Sequence, residues 1–379
     1  MKRFFTFMAD YLRRSDSVLL ALCLTCSIFG MVLIKSATPN SGMQYVIIQA
    51  VALILGLMLY FLFSIIDVDI IADKSRALFV ISALFIASLV VLGVAGDSGN
   101  KSWIRFGPIG IQPPEVVKIP FIIMMARLLT HLSQDRGIND KISVLQAILL
   151  CGFFFGLIVV VSSDLGSALV YFFIFAVMLF VVGIDWKWIA AGISAIVALA
   201  PIMYNFFLSE YQKKRILAPY IKSIDPSGTG VMWQANQSKI AIASGRLTGQ
   251  GLFKGALTQS ESIPAQHTDF IFSVAGEELG LIGCLLIIAL LTLIIWRCVY
   301  VGIKSNDKQS SLICMGIASM LIFQTLENIG MCLGLTPVIG LTLPFFSYGG
   351  SSVITLYAAM GIVSGIKMRP KPGVFISKY

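Results

Sequence analysis

Apolar residues run through this 379-residue chain in long blocks rather than in strict alternation. A bilayer core roughly 30 Å thick takes about 20 apolar residues per helical span. Ten stretches meet that length, near 17–36, 44–65, 76–95, 115–131, 144–161, 165–184, 188–208, 270–297, 311–334 and 344–366. The fourth is short and contains Pro120, a residue that normally interrupts a helix interior. The pattern predicts an all-α integral membrane protein of about ten transmembrane helices, one polytopic domain over 1–379. Most connections are short, and two are not. Segment 96–114, G-D-S-G-N-K-S-W-I-R-F-G-P-I-G-I-Q-P-P, carries glycine and proline as turn punctuation. Segment 209–270 is too long for a plain connector. Its Trp233, Ile240, Ile242, Leu252 and Phe253 alternate with polar groups, which predicts pieces lying on the membrane surface.

Composition adds that 57% of residues are apolar and 12% charged, with a mean hydropathy of +0.89, which excludes a soluble or disordered chain. A net charge of +9 raises nucleic acid as a partner, but its distribution follows the membrane. With a cytoplasmic N-terminus and alternating spans, the inner segments hold 17 Lys/Arg, the short outer ones four and the long loop seven. Long loops report orientation poorly, so the bias of the short segments decides for N-in, C-in. Residues 1–16 then form a retained, cytoplasmic or interfacial N-terminus, 367–379 a cytoplasmic tail, and 209–270 an extracytoplasmic loop between spans seven and eight. Anionic inner-leaflet lipid accounts for the positive charge, and no nucleic acid is needed. The seven cysteines lie in or beside apolar spans. Cys23 and Cys26 have C-x-x-C spacing without histidine or a second pair, and read as inert packing.

The densest polar chemistry is Gln266–Gly280, Q-H-T-D-F-I-F-S-V-A-G-E-E-L-G, which closes the long loop and enters the eighth span. Two readings of Asp269 stand. As a general base it would take a proton from a bound hydroxyl. As a helix N-cap it would satisfy free backbone N–H groups. Capping lowers its pKa and burial raises it, so the two are opposed. Glu277 and Glu278 follow roughly 12–13 Å along a helix, Glu327 and Asn328 lie roughly 10 Å inside the outer end of the ninth span, and Asp164 opens the sixth. These carboxylates form either a polar outward cavity or interhelical hydrogen-bond glue. Intramembrane Glu277, Glu278 and Glu327 also suit a transporter. Glu115 and Lys118, three apart at the start of the fourth span, predict an ion pair. Outer basic residues cluster at Lys101 and Arg105, at Lys213, Lys214 and Arg215, and at Lys239, Arg246 and Lys254, which suits a diphosphate or lipid phosphate in general. Trp103 is an interfacial anchor or a sugar-stacking platform. The glycines of G-R-L-T-G-Q-G-L-F-K-G (245–255) read as turns.

Five motifs resemble those of the SEDS proteins (shape, elongation, division and sporulation). They are W-I-R-F-G-P-I-G-I-Q-P-P-E-V-V-K (103–118), S-D-L-G-S-A-L (163–169), W-Q-A-N-Q-S-K-I-A-I-A-S-G (233–245), P-A-Q-H-T-D-F-I-F-S-V-A-G-E-E-L-G (264–280) and N-I-G-M-C-L-G-L-T-P-V-I-G-L-T-L-P-F-F-S-Y-G-G-S-S (328–352). Q-S-K-I-A-I-A-S-G is more similar to the RodA branch (elongation) than to FtsW (division). The resemblance implies an inverting peptidoglycan glycosyltransferase that polymerises lipid II on the outer face of the bacterial cytoplasmic membrane. The partners it implies are lipid II, the growing lipid-linked glycan chain, a class B penicillin-binding protein and the elongation machinery. It also implies a divalent cation, Mg or Mn, with ligands left open. Asp269 is then the catalytic residue. Trp103, Arg105, Lys118, Arg215, Gln237, Ser238, Lys239, His267 and Thr268 become candidate substrate contacts. Glu115–Lys118 is a structural ion pair, with Asp164, Glu277, Glu278, Glu327 and Asn328 as supporting polar groups. Two positions depart from the family pattern: Pro114 stands where Ser is usual, and Ser162–Ser163 precede Asp164 where Gln-Pro is common. The alternatives are a flippase for lipid-linked precursors and the division-specific, FtsW-type polymerase.

Overall fold

The computed structural model describes residues 15–94, 101–106, 109–206, 208–305 and 307–369. The expected interfacial segment before Ser15 and the tail beyond Arg369 lie outside the described residues. Among the described residues, ten helices are long and apolar enough to cross a membrane: Ser17–Ser36, Gln44–Ile65, Ser75–Leu92, Pro113–Asp135, Lys141–Ser162, Leu165–Val182, Trp186–Phe206, Ile271–Lys304, Lys308–Cys332 and Gly350–Met368. They are called spans one to ten in that order.

Three spans differ from the expectation, each for a physical reason. The fourth is not short, running 23 residues straight through Pro120. Its first turn opens on Pro113 and Pro114, where no backbone N–H partner is required. Inside the bundle, neighbouring helices shelter the backbone that Pro120 disturbs. The tenth begins at Gly350 rather than near 344, because 341–349 forms a loop that folds over the Asp269 segment.

The eighth is not one continuous helix. Gly280 takes φ 65° and ψ −162°, and the helix breaks there. Across the break the expected bonds from Leu281 to Glu277 and from Ile282 to Glu278 are exchanged for bonds to the long loop. The N–H groups of Gln250 and Gly251 donate to the carbonyls of Glu277 and Glu278, both at 3.0 Å. Those of Leu281 and Ile282 donate to Arg246 and Leu247, at 2.9 and 3.2 Å. The glycine-rich 245–255 segment is therefore more than a set of turns, since its backbone completes an interrupted helix. A side chain at Gly280 would run into the backbone of Gly249 and Leu247. Ile271–Glu278 are all buried, whereas Leu281, Ile282, Leu285 and Leu286 are exposed, the pattern of a lipid-facing helix. Leu281–Lys304 is long enough to cross a bilayer core alone, so Glu277 and Glu278 sit at a break rather than along a continuous span.

The long loop is largely helical, with Glu210–Leu217, Trp233–Ser244 and Ala256–Gln259. Trp233–Ser244 docks into the protein through Ala235, Ser238 and Ala241, one face at helical spacing, and leaves Trp233 and Ile240 exposed. The segment before the fourth span forms a small hairpin, Ile104–Phe106 antiparallel to Ile109–Ile111, a strand pair that turn residues alone did not predict. At the end of the bundle away from Asp269, buried Asp16 caps the first span and pairs with Arg297 (2.7 Å) and Lys367 (3.3 Å). Arg369 there meets Asp67 and Asp69. The seven cysteines are free and buried.

Candidate active site around Asp269

Asp269 ends the long loop one residue outside the eighth span, whose N-cap is Phe270 with no side-chain capping bond. The capping reading of Asp269 therefore fails. The carboxyl is half-buried. Burial pushes its pKa up from 3.8 to about 6, against the pull of the Arg215 charge and a hydrogen bond from Thr268, while the nearby Asp164 adds to the rise. A carboxyl held near neutrality, with the Arg215 charge within electrostatic reach, suits proton abstraction.

The backbone on either side is clamped. Three consecutive carbonyls accept from two other parts of the fold: His267 from the Tyr348 N–H (2.9 Å) and Thr268 from Ser347 Oγ (2.6 Å) of one turn, and Asp269 from Asn328 Nδ2 (2.8 Å) of the ninth span. Gly340, in the loop after the ninth span, lies against the carboxyl. A side chain there would come within 3.3 Å of Oδ2, on a backbone with φ 75°.

Asp164 caps the sixth span, accepting from the Ser167 N–H at 2.9 Å. Its Oδ2 also accepts from Ser102 (3.1 Å), Gln112 (3.2 Å) and Ser167 Oγ (2.8 Å), which ties the hairpin segment to this span. Lys118 is fully buried and paired with Glu115. The pair forms as the three-residue spacing expects, with the ammonium buried against the Glu115 carboxylate. Beside it Tyr171 donates to the Pro114 carbonyl at 2.7 Å. Glu277 accepts from the N–H groups of Leu257 and Thr258 (2.8 and 2.9 Å) and from Thr258 Oγ1 (2.6 Å). Glu278 accepts from Ser36, Gly255 and Gln259. Both fasten the loop at the helix break.

The fold thus brings Asp269, Thr268, Arg215, Asp164 and Asn328 together, with His267 adjoining. The other candidates are dispersed. Ser238 is buried, its hydroxyl donating to the Cys332 carbonyl at 2.6 Å and facing Ser273, which joins its helix to the eighth and ninth spans. On the same helix Gln237 is half-buried and Lys239 exposed, the latter lying against Gly334. Trp103 is half-buried against Gly110, and Arg105 is exposed on the hairpin. Glu327 is half-buried, and among the described residues its Oε1 has no hydrogen-bond partner. Sequence reasoning gave no role to Tyr45, Gln49, Gly340, Ser347 or Tyr348. An amide set inside a largely apolar span was the available signal for Gln49.

No three His, Cys, Asp or Glu side chains converge among the described residues. With Asp164 saturated, the donor set does not fit an all-protein metal cage. It does fit a hard cation that keeps most of its waters and is held largely by substrate phosphates.

Residues 16–371 match the model of the FtsW/RodA/SpoVE family, "Cell cycle protein". The chain belongs to this family. It is similar to the peptidoglycan glycosyltransferase MrdB of Escherichia coli K12, 31% identical over 94% of each chain. It is also similar to the probable peptidoglycan glycosyltransferase FtsW of Geobacter metallireducens, 33% identical over 95% of this chain and 96% of the other. Among solved structures it resembles a chain of a peptidoglycan synthase complex that coordinates polymerization and crosslinking. That match has a TM-score of 0.80 and 31% identity, over 93% of this chain and 97% of the other. The crystal structure of the rod shape determining protein RodA from Thermus thermophilus matches with a TM-score of 0.69 and 29% identity, over 93% and 96%. The SEDS resemblance drawn from the motifs and the ten-helix membrane fold both hold for this family member.

Proposed function

We propose that this FtsW/RodA/SpoVE-family protein is a peptidoglycan glycosyltransferase of the elongation type, polymerising lipid II with Asp269 as general base. The observation that carries the catalytic assignment is that Asp269 is no helix cap, and burial beside Arg215 brings its carboxyl to about 6. The carboxylate takes the proton of the acceptor hydroxyl. The oxygen then attacks the anomeric carbon, and that carbon's bond to the lipid diphosphate breaks with its electrons leaving on the diphosphate. A single displacement converts an α-linked donor into a β-linked product and needs one base, not the carboxylate pair of a retaining hydrolase. Arg215, within electrostatic reach of Asp269, balances charge that develops on the leaving group. A Mg²⁺ or Mn²⁺ ion, when bound with the diphosphate, would neutralise part of that charge, held by the phosphates with Asp269 nearby. Asn328, Ser347 and Tyr348 fix the backbone of Asp269, Thr268 and His267 in turn.

The excess of Lys/Arg on short inner segments supports N-in, C-in in the bacterial cytoplasmic membrane, with Asp269 extracytoplasmic. The likeness to a chain from a complex that coordinates polymerization and crosslinking supports a class B penicillin-binding protein as partner, within the elongation machinery. The test is polymerisation of lipid II by purified protein in detergent, with and without a cognate transpeptidase and Mg²⁺. Glycan polymer formed where no bilayer exists supports the enzyme; its absence under all four conditions, with lipid II translocation in vesicles, supports a flippase.

A further inference from the structure

We propose that Tyr45 and Gln49 of the second span are positioning residues for the glycosyl transfer, holding the Asp269 segment in its working geometry. The inference rests on Asp269 being the base.

The two residues are four apart in Gln44–Ile65 and so share one helix face. Gln49 is buried in a largely apolar span, and both ends of its amide are used. Nε2 donates to the Ser347 carbonyl at 3.1 Å, and Oε1 accepts from the Gly349 N–H at 3.1 Å. One side chain thus clasps the 347–349 turn from both sides. That same turn supplies the groups that hold the aspartate segment: Ser347 Oγ donates to the Thr268 carbonyl, and the Tyr348 N–H donates to the His267 carbonyl. Ser347 Oγ also accepts from the Leu343 N–H at 2.8 Å, which keeps the turn closed on itself. One helical turn before Gln49, the Tyr45 ring lies 4.8 Å from the His267 ring and 5.0 Å, edge-on, from Tyr348. His267 and Tyr348 are themselves 5.7 Å apart, so the three rings form one cluster. The second span therefore reaches the segment by two routes, an amide clasp behind the turn and an aromatic contact at its edge.

A general base works only where its oxygen meets the acceptor proton, and displacement of about 1 Å costs roughly 100-fold in rate. Neither Tyr45 nor Gln49 is assigned contact with the reacting atoms; both act through residues 267–269.

Steady-state polymerisation of lipid II by detergent-purified Gln49→Leu, Tyr45→Ala, Tyr45→Phe and Asp269→Asn, with thermal unfolding of each, tests this. The expectation is that Gln49→Leu and Tyr45→Ala lower kcat by roughly 10- to 100-fold with KM within about twofold, and that Tyr45→Phe, which keeps the ring, restores most of kcat. If Gln49→Leu does not fold, Tyr45→Ala, at a half-exposed position, carries the test alone. A raised KM with kcat unchanged would make Tyr45 a substrate contact and overturn the inference, as would wild-type kinetics in the folded variants. Should Gln49→Leu and Tyr45→Ala be normal while Asp269→Asn is dead, this inference fails and the base assignment stands. An active Asp269→Asn removes the base assignment itself.

Discussion

The side-chain amide of Asn328 donates at 2.8 Å to the carbonyl oxygen of Asp269 and at 2.7 Å to that of Leu341. It is fully buried, so it joins the ninth span, the aspartate segment and the loop before the tenth span at one point. Asn328→Ala strips the amide donor from the buried Leu341 carbonyl, at about 1–3 kcal/mol, and leaves the part-buried Asp269 carbonyl only the weak Cys332 thiol at 3.8 Å. The expected result is a melting temperature lowered by several degrees and a polymerisation rate, per folded molecule, lowered at least tenfold. Asn328→Asp faces two acceptors with a third and does worse. Thermal unfolding and rate measurements on the same preparations check both.

The pH profile follows from the Asp269 carboxyl at about 6. The base acts when deprotonated, so kcat/KM rises with pH through about 6 and then levels. Arg215→Gln removes a charge that favours the ionised form, and the acid limb moves to higher pH. A limb that stays near 4 in both proteins would contradict the burial argument.

The same shift has a consequence for stability. The folded pKa lies above the ordinary 3.8, so the native state binds more protons than the unfolded chain between about 4 and 6. Stability is lost as pH rises through that window, because ionisation then occurs in a site that disfavours charge. At neutral pH Asp269→Asn is therefore expected to stabilise the protein by about 1–2 kcal/mol, allowing for partial solvent access. Below pH 4 the gain disappears. Denaturation at pH 3.5 and pH 7.5 measures the difference.

Glu277 and Glu278 were legible as polar groups near the site, but their task was not. The helix from Ile271 to Glu278 is unbroken, so their spacing from Asp269 held, but the break at Gly280 just beyond them, and the loop that docks there, left no signal in the spacing. Glu277→Ala leaves two backbone N–H groups and the Thr258 hydroxyl without their acceptor and is expected to lower stability by about 3 kcal/mol or more. Glu277→Gln, which keeps an acceptor oxygen, loses less. Activity per folded molecule stays within a few-fold in both, as limited proteolysis and rate measurements should show.

The buried pair of Glu115 and Lys118 gives a sharper contrast. Lys118→Met alone strands a buried carboxylate and is expected to destabilise by about 3–5 kcal/mol. Adding Glu115→Gln removes the stranded charge and recovers much of that loss. A double-mutant cycle read by thermal unfolding distinguishes this from two independent losses.

Ten spans were legible because twenty-residue apolar blocks have few alternatives in a bilayer, and Glu115–Lys118 because a three-residue spacing is local. The Asp269 setting was only half legible. Its candidate status came from position and motif, but whether it capped the eighth span depended on one residue of helix start, within the usual uncertainty of sequence boundaries. Tyr45, Gln49 and Ser347 were missed because their roles arise from contacts between distant parts of the chain, to which helical periodicity is blind. Gly280 was missed for the opposite reason: a glycine inside an apolar run is tolerated in many spans, and only the loop that completes the break reveals it.

Asp269 as general base is tested most directly by lipid II polymerisation with purified Asp269→Asn beside the wild type, at equal folded concentration and pH 7.5. The account predicts no glycan polymer from a variant that is folded and at least as stable as the parent. Glycan chains formed at near wild-type rate would contradict it.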